Sequence, residues 1–465
     1  MSERNQALNL KTKLGFGVGD LGGNLFFTIM GFYLLFFFSD VVGLALPLAG
    51  AALAIGKVWD AVTDPAVGYF SDRVHTRWGR RRPFIFLGAI LLFVFMVVMF
   101  TDPGFSNGIV LFLYLTVMYC ILNTAYTLVN IPYGALTPEL TEDFNERTVL
   151  NGYRMSFAVV GTFIGGSLVL PITNLVSDRV LGWSLMGGVM GLIMMTSALI
   201  TFATVRETKQ HQVLGTANPI RSYLDVLKMK TFLTALIPWT LHITGVNVIQ
   251  AGLIYYFRGI YRDEAAFQIA LPILLGTTIL FIPVWVKLSE RLGKKLSYNI
   301  GMGIVGVAAL AFFLFGHRFD VTFAYAVMFV AGTGLSTNYV MPFAIVPDVV
   351  EYDYAENGVR REGVFYGMWT FVSKIGQAVA IGLTSLILWI FGHQAATEAV
   401  PNPVQSELAQ LGIRLINGPI PALFFLAGII VLSYYPITKS RYEEILQRAR
   451  QRDAGDSPRG SGQST

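Results

Sequence analysis

The chain has 465 residues, of which 54% are hydrophobic and only 14% are charged. Apolar runs near 20 residues recur from one end to the other, which is typical of membrane-spanning helices and excludes an ordinary soluble protein. The net charge of +5 would suggest a nucleic-acid partner for a soluble chain. Here the basic residues flank apolar runs, so membrane orientation and anionic lipid explain them and no nucleic-acid partner is expected.

Twelve spans are predicted, six on each side of a polar segment. They are 14–38, 45–70, 84–101, 109–133, 151–176 and 181–204, then 232–257, 267–288, 298–316, 322–346, 363–391 and 417–438. The sequence therefore predicts an all-α membrane protein with two six-helix halves. We divide it into an N-terminal half (1–205), a central cytoplasmic loop (206–230), a C-terminal half (231–440) and a cytoplasmic tail (441–465) expected to be disordered.

A weak internal repeat supports duplication of the six-helix unit. The loop after span 2 has Ser71–Arg73 and then Gly79 before a basic run, and the loop after span 8 has Ser289–Arg291 and then Gly293 before two lysines. Two such halves around a central site describe a secondary transporter. No Walker-type phosphate loop is found in the sequence, so ATP is not expected to supply the energy.

The orientation follows from the positions of Lys and Arg. Roughly 26 of the 34 fall in the even-numbered loops and the termini, and about 5 fall in the odd-numbered loops. Both termini are therefore predicted to be cytoplasmic. We expect a multi-pass protein of a bacterial inner membrane.

Two carboxylates lie inside the second span. Asp60 and Asp64 are four residues apart and share one helix face, with Lys57 three residues before Asp60. Carboxylates inside an apolar span are costly and usually face a bundle interior or an ion path. This pair suits a small cation such as Na⁺, or can share a proton. The alternative is that Lys57 neutralises one carboxylate and the cluster only locks helices together.

The residues around this pair resemble the melibiose-permease-like glycoside–pentoside–hexuronide:cation symporters of the major facilitator superfamily. The resemblance rests on a specific motif in span 2 and its loop and on looser matches elsewhere. The matching residues are Trp59–Asp60, Asp64–Pro65, Gly68, Asp72–Arg73, Arg77–Pro83, Phe38–Leu44, Tyr126–Pro132, Asp348, Glu351–Tyr352, Gly358–Arg361 and Phe371–Lys374. The family implies a major facilitator fold and uptake of a sugar or glycoside coupled to a cation.

The resemblance implies a cation site made of oxygen donors. The two acids of the family's site match Asp60 and Asp64, the polar residue before the second acid is Thr63, and the span-4 hydroxyl matches Thr127. These would hold Na⁺ if the transporter is sodium-coupled. Apart from the coupling ion, Na⁺ or H⁺, no cofactor is expected.

The resemblance also implies a substrate site in spans 1, 4, 5 and 11. The family's two sugar-holding acids fall on Asn24 and Asn130, and a following aromatic falls on Gly134, which predicts a less acidic and roomier pocket. The family's span-5 arginine and span-11 lysine match Arg154 and Lys374. The predicted substrate-binding residues are Asn24, Asn130, Arg154, Lys374 and the nearby Trp369.

Several of these charges have a second interpretation. Arg154 lies near the start of span 5, so its side chain can instead extend to the cytoplasmic surface. Lys374 lies deep in span 11 and needs a partner, for which Asp60 or Asp64 is the natural candidate. This contact would couple the halves or be a static ion pair. Asp20, one turn before Asn24, is interpreted as a helix-packing or gate residue.

The loop after span 2 is predicted to be a cytoplasmic gate. Its gate residues are Asp72, Arg73, Gly79 and Arg80. A plain basic anchor for membrane topology is the alternative, and it explains the charge but not the acid and glycines at fixed spacing.

The sequence thus predicts a cation-coupled secondary symporter of a sugar or glycoside. Its partners are a small-molecule substrate, the coupling cation and membrane lipid. Three alternatives remain: the same fold carrying an amphipathic lysolipid-like substrate, coupling to protons rather than sodium, and a non-transporting sensor or enzyme. An enzyme is disfavoured because the sequence offers no metal-ligand cluster and no Ser/His/Asp or Cys/His set.

Overall fold

The structure is a computed structural model that describes residues 8–74, 76–141, 144–207, 219–358, 361–396, 400, 402–438 and 441–448. In the first half, the helices are α1 (Leu10–Phe32), α2 (Leu34–Phe36), α3 (Leu46–Arg73), α4 (Arg82–Met99), α5 (Gly108–Gly134), α6 (Thr137–Leu140), α7 (Phe144–Ser167), α8 (Val169–Thr173) and α9 (Arg179–Thr204). A π-helical turn, Phe37–Val41, follows α2.

The remaining helices begin in the predicted central loop. They are α10 (Pro219–Leu227), α11 (Lys230–Tyr256), α12 (Glu264–Leu292), α13 (Lys294–Phe315), α14 (Val321–Asn357), α15 (Glu362–Ile390), α16 (Glu407–Ile416) and α17 (Pro419–Ser433). A second π-helical turn, Phe257–Tyr261, follows α11. Residues 441–448 form one more short helix.

The described helices account for the twelve predicted spans. Ten helical stretches are long and apolar enough to cross a membrane, and α1 with Leu34–Val41 makes an eleventh across a bend of 49°. The one remaining predicted span, 151–176, corresponds to α7 and α8. Helix α7 has 24 residues, including the polar Asn151 and Arg154. At about 1.5 Å per residue it is long enough to cross, but its polar residues lower its hydropathy.

Several spans begin at a side-chain cap. Asn107, Asp178, Asp263 and Asp320 accept hydrogen bonds from the first backbone N–H groups of α5, α9, α12 and α14. These N–H groups have no partner within the helix, so a short acid or amide immediately before an apolar run fixes where the helix begins.

Three sequence expectations need correction. Helix α14 ends at Asn357, well beyond the predicted end at 346, because its polar last turns carry Asp353 and continue past the apolar part of the span. The central loop, 206–230, contains α10, and its residues 208–218 lie outside the described residues. The tail expected to be disordered begins with the helix 441–448, in which Ile445 is buried. Residues 449–465 lie outside the described residues.

In both halves, a basic residue of the repeated loop motif makes a similar contact. In the first half, Arg81 donates to the backbone carbonyl of Ala135 and to Asp72. In the second half, Lys294 Nζ donates to the carbonyl of Ala344 at 2.9 Å and to Asp348 at 2.7 Å. In each half, a basic residue near the start of the third span therefore donates to a backbone carbonyl within or just after the helix of the fourth span.

The halves are joined at the end of the bundle opposite the chain termini. The Ser39 hydroxyl lies 2.7 Å from the Tyr255 hydroxyl, and Asp40 accepts from the backbone N–H of Ala396 at 3.1 Å. His393 Nε2 lies 3.6 Å from Asp40. These buried polar contacts connect the turn after α2 with α11 and with the chain after α15, which closes this end of the bundle.

Small residues let α1 and α7 approach closely. A Cβ atom built on Gly161 would lie 2.2 Å from the backbone oxygen of Leu21, which is closer than two atoms can pack. Membrane helices associate largely through such close backbone packing. Gly152, on the same helix, has no atom within 4 Å of the equivalent position.

Replacing Gly161 by Val is expected to destabilise the protein by about 1–3 kcal/mol, because the side chain overpacks the α1–α7 contact. Gly152→Val, in open space on α7, is the matched control. Thermal unfolding of the two purified variants in detergent checks this. Equal midpoints for both variants would contradict the packing inferred at Gly161.

Candidate cation and substrate site

Helix α3 carries the two acids and α15 brings a lysine to them from the other half. Lys374 Nζ lies 2.9 Å from Asp60 Oδ2 and 2.5 Å from Asp64 Oδ2. It also donates to the backbone carbonyl of Asp60 at 3.3 Å. The predicted contact between Lys374 and the acid pair is therefore present. One ammonium group bridges two carboxylates and links the halves inside the membrane.

Helix α5 adds a hydroxyl to the same site. Thr127 Oγ1 lies 3.2 Å from Asp60 Oδ1 and 3.0 Å from Asp64 Oδ1, and its one proton can serve either oxygen. The recorded hydrogen bond of Thr63 runs instead to the carbonyl of Asp60 in its own helix, at 3.3 Å. The structure thus brings three of the four predicted cation ligands together, and a role for Thr63 stays a prediction.

A second lysine belongs to this charge cluster. Lys57, one turn before Asp60, is buried, and its ammonium lies 5.5 Å from the centre of the Phe27 ring. The alternative of a simple Lys57–Asp lock does not describe the geometry, because Lys374 makes the close contacts to both acids. Two acids and two lysines together carry no net charge.

The charge cluster lies between two cavities. The first, called here the central cavity, has a volume of about 210 Å³. Its polar lining residues are Asn24, Thr28, Lys57, Thr162, Asn247, Gln250, Tyr339 and Gln377. The second cavity, of about 300 Å³, is lined by Asp64 and Lys374 with Tyr223, Tyr366, Thr370 and Phe371. Asp64 and Lys374 are therefore reached from the second cavity, and the central cavity borders the cluster at Lys57.

The predicted substrate residues do not all meet in the central cavity. Asn24 lines it. Asn130 borders a smaller space with Gly23 and Tyr126 between α1 and α5. Trp369 is buried and stacks on Trp239, with ring centres 5.7 Å apart. Asn130 and Trp369 therefore do not line the central cavity in this structure, and their predicted contact with the substrate stays a prediction.

Arg154 is paired with an acid of the protein, whereas a substrate role would need its guanidinium to face the central cavity. Its Nε lies 2.6 Å from Asp20 Oδ2, and its guanidinium packs over the rings of Phe16 and Tyr133. The pair connects α7 to α1 and matches the helix-packing role expected of Asp20. Arg154 thus neither lines the central cavity nor extends freely to the surface.

The loop after α3 is held by an acid that the sequence motif did not indicate. Both carboxylate oxygens of Glu207, after α9, accept hydrogen bonds from the backbone N–H groups of Arg80, Arg81 and Arg82, at 2.8, 2.7 and 3.1 Å. A negative charge at the start of α4 is favourable. Gly79 has φ +106°, and a side chain there would meet the Glu207 carboxylate.

The other residues of the predicted gate have separate contacts. Asp72 pairs with Arg81 at 2.9 Å. Arg73 lies flat on the ring of Tyr69, 3.4 Å from its centre, and donates to that residue's carbonyl at 3.2 Å. Arg80 is buried. Arg73 is exposed, whereas Asp72 is partly buried. The loop is thus ordered by specific contacts, and its role as a gate stays a prediction.

The amide side chains from the second half complete the polar wall. Asn247 and Gln250 lie on α11 and Gln377 lies on α15, facing Asn24 across the central cavity. Amides donate and accept hydrogen bonds, which suits sugar hydroxyls. The weak sequence signal for them was a set of polar residues inside otherwise apolar spans.

A family model described as MFS/sugar transport protein matches residues 15–439. The chain belongs to this family. The sugar transporter is therefore a twelve-span, all-α major facilitator protein of the glycoside–pentoside–hexuronide:cation symporter type, as the motifs predicted, and it is not an enzyme.

Relatives of this sugar transporter match it over nearly the whole length. An uncharacterized symporter of Synechocystis is 31% identical, covering 96% of this chain and 98% of its own. The glucuronide carrier protein homolog of Escherichia coli is 28% identical, covering 95% and 96%. The isoprimeverose transporter of Lactiplantibacillus pentosus is 28% identical, covering 92% and 88%.

Solved structures agree on the fold. A bacterial homologue of the human lysosomal transporter Spinster, in an inward-facing and unoccupied conformation, aligns with a TM-score of 0.62 at 13% identity. It covers 95% of this sugar transporter and 97% of its own chain. This likeness supports the major facilitator fold alone.

Asn24→Ala is expected to weaken binding of the transported sugar by about 1–3 kcal/mol, because a hydroxyl would lose its amide partner in the cavity. Asn130→Ala, outside the central cavity, is the matched control and is expected to bind with nearly unchanged affinity. Calorimetric titration of both purified variants measures the difference. Equal losses would place both asparagines at the sugar.

Proposed function

We propose that this transporter couples the gradient of a monovalent cation to sugar or glycoside transport through the cluster of Asp60, Asp64, Thr127 and Lys374. The observation that carries the proposal is the bridging ammonium of Lys374, which contacts both acids from the opposite half. In this proposal, the ammonium occupies the place of the coupling cation, and the two exchange during each cycle.

The exchange has a physical basis in charge. Unmatched charge inside a membrane bundle is expensive, so the two acids require a positive partner in every state. Na⁺ takes oxygen ligands of the kind that Asp60, Asp64 and Thr127 supply. A proton would act differently, by neutralising an acid and weakening its hold on Lys374. The proposal therefore takes Na⁺ or H⁺ as the coupling ion and needs no other cofactor.

The position of Lys374 gives the exchange a mechanical consequence. Asp60 and Asp64 lie on α3 of the first half, and Lys374 lies on α15 of the second. When a cation replaces the ammonium, one connection between the halves is lost, and the relative stability of the two access states changes. Such a difference in binding free energy between states is what coupling requires.

The described contacts favour an access path on the side of the termini. Buried contacts of Ser39 and Asp40 close the opposite end, whereas Asp64 and Lys374 border a cavity on the α10 side. With both termini cytoplasmic, this corresponds to an inward-facing state of a transporter in a bacterial inner membrane, with halves at 1–205 and 231–440.

Uptake by proteoliposomes tests the proposal directly. Purified protein is reconstituted, and a panel of labelled sugars and glycosides is offered under an imposed Na⁺ gradient, an imposed H⁺ gradient or neither. Accumulation under one gradient identifies the coupling ion. Equal uptake with and without either gradient would contradict cation coupling and indicate facilitated diffusion.

Asp60→Asn and Asp64→Asn are each expected to abolish gradient-driven accumulation, because each removes about one charge from the cation site. Asp102→Asn, in the loop after α4, is the control of equal chemistry. Accumulation is measured on equal amounts of folded protein. Normal accumulation by both site variants would contradict the assignment of Asp60 and Asp64 to the cation site.

Lys374→Ala is expected to retain substrate exchange better than uphill accumulation. Without the ammonium the acids bind the cation with altered affinity, but its binding no longer breaks a contact between the halves. The exposed Lys228→Ala is the control. Exchange and gradient-driven uptake are measured on the same vesicles, and a parallel fall in both would make Lys374 a structural residue only.

A further inference from the structure

The second cavity separates the two halves at the end of the bundle that carries the termini. From the first half, α3 contributes Asp64 and Pro65 to its wall, and α5 contributes Ile131. From the second half, α15 lines it with residues that recur at the spacing of one helical face, which are Gly367, Thr370, Phe371 and Lys374. The cavity therefore lies between helix faces that belong to opposite halves.

A tyrosine of the central loop also lines this cavity. Among the described residues that line it, Tyr223 on α10 alone lies outside the membrane spans. Helix α10 is attached to the second half, because Val226 is fully buried and Tyr223 packs against the same core. Asp225 lies close enough to Arg361, before α15, to stabilise its guanidinium charge. Tyr223 is thus held by the second half and faces the first half across the cavity.

The position of the Tyr223 ring depends on a glycine of α15. A Cβ atom built on Gly367 would lie 2.9 Å from the Tyr223 hydroxyl oxygen and 3.3 Å from the nearest ring carbon. Gly363, one turn earlier on the same helix, has no atom within 4 Å of the equivalent position. The missing side chain of Gly367 therefore lets the tyrosine lie directly on α15.

Alternating access requires the second cavity to narrow. Contacts of Ser39 and Asp40 close the opposite end of the bundle, while a volume of about 300 Å³ lies open here. When the opposite end opens, α3 and α5 must approach α10 and α15. A void left between them would lose packing contacts. The Tyr223 ring is placed to fill this space against the apolar side chains of Pro65 and Ile131.

We propose that Tyr223 is a positioning residue of the transport cycle: seated on Gly367, its ring closes this end of the path and stabilises the outward-facing state. The inference rests on the alternation of access in the proposed function and does not depend on which ion is coupled. Removing the ring shifts the population toward the inward-facing state. The apparent affinity for external sugar then falls with the outward-facing fraction.

Two cysteine reporters measure the opening of the two ends. The chain has a single cysteine, Cys120, so Cys120→Ala gives a cysteine-free background. Ile131→Cys reports opening of the second cavity. Ala396→Cys, at a buried position whose backbone N–H donates to Asp40, reports opening of the opposite end. Rates of reaction with a maleimide are measured on the purified full-length protein in detergent, without sugar or an ion gradient.

Tyr223→Ala is expected to raise the reaction rate of the Ile131→Cys reporter and to lower that of the Ala396→Cys reporter. Each change is about twofold to tenfold, the range for one aromatic contact. Tyr223→Phe keeps the ring and leaves both rates nearly unchanged. Leu224→Ala, at an exposed position on the same helix, is the control and changes neither rate.

The seat on α15 is tested separately. Gly367→Ala is expected to displace the tyrosine hydroxyl and to change both rates in the same directions as Tyr223→Ala. Gly363→Ala adds the same methyl group in open space and is the matched control. Combining Gly367→Ala with Tyr223→Phe removes the closest approach and restores both rates, which a general effect of alanine on α15 would not do.

Opposite changes at the two reporters support the gate, because a variant that only loosens the fold raises both rates together. A joint rise, or no change in Tyr223→Ala, overturns the proposal. An equal effect of Gly363→Ala and Gly367→Ala overturns the seat on α15. Failure of the proposed cation coupling is distinguishable, because it removes gradient dependence from uptake by vesicles while leaving the opposite reporter changes intact.

Discussion

The structure depends on one ion cluster placed where the two halves meet. Asp60 and Asp64 on α3 hold Lys374 on α15 within 2.9 Å, in a region where charge is costly. A neutral cluster of two acids and two lysines is tolerated there. Because the contact crosses between the halves, anything that competes for the acids also acts on their relative position. In the proposed mechanism, the cation site and this contact between the halves are therefore the same residues.

The remaining polar contacts fix the frame around that cluster. Asp20 with Arg154 holds α1 to α7, Glu207 holds the start of α4, and Asp40 closes the end opposite the termini. Each pairs an acid that is at least partly buried with a basic group or backbone N–H groups, since a buried acid without a partner is destabilising. The frame leaves the central cavity with a mostly neutral polar wall, on which Lys57 stands out as a charged group.

Much of the site was predictable because it depends on short-range spacing. Asp60 and Asp64 lie one helical turn apart, and Thr127 was identified by the family resemblance. Lys374 was predictable because a lysine inside an apolar span requires a nearby acid to balance its charge. The glycine and acid of the span-2 loop also indicated an ordered loop, which the contacts of Asp72 and Gly79 confirm. Glu207 escaped prediction because its partners are backbone N–H groups, which no side-chain motif displays.

The sequence by itself determined the membrane class, the twelve spans and the acid–lysine cluster, because hydropathy and the cost of buried charge act on each span separately. Only the tertiary structure decided which side chains share a cavity. Asn24 and Asn130 look equivalent in sequence, yet Asn24 lines the central cavity while Asn130 packs near Gly23. The reason is that a helix's rotation is set by its neighbours, such as the Gly161 contact between α7 and α1. A rotation of one residue, about 100° on a helix, moves a side chain from a cavity into packing.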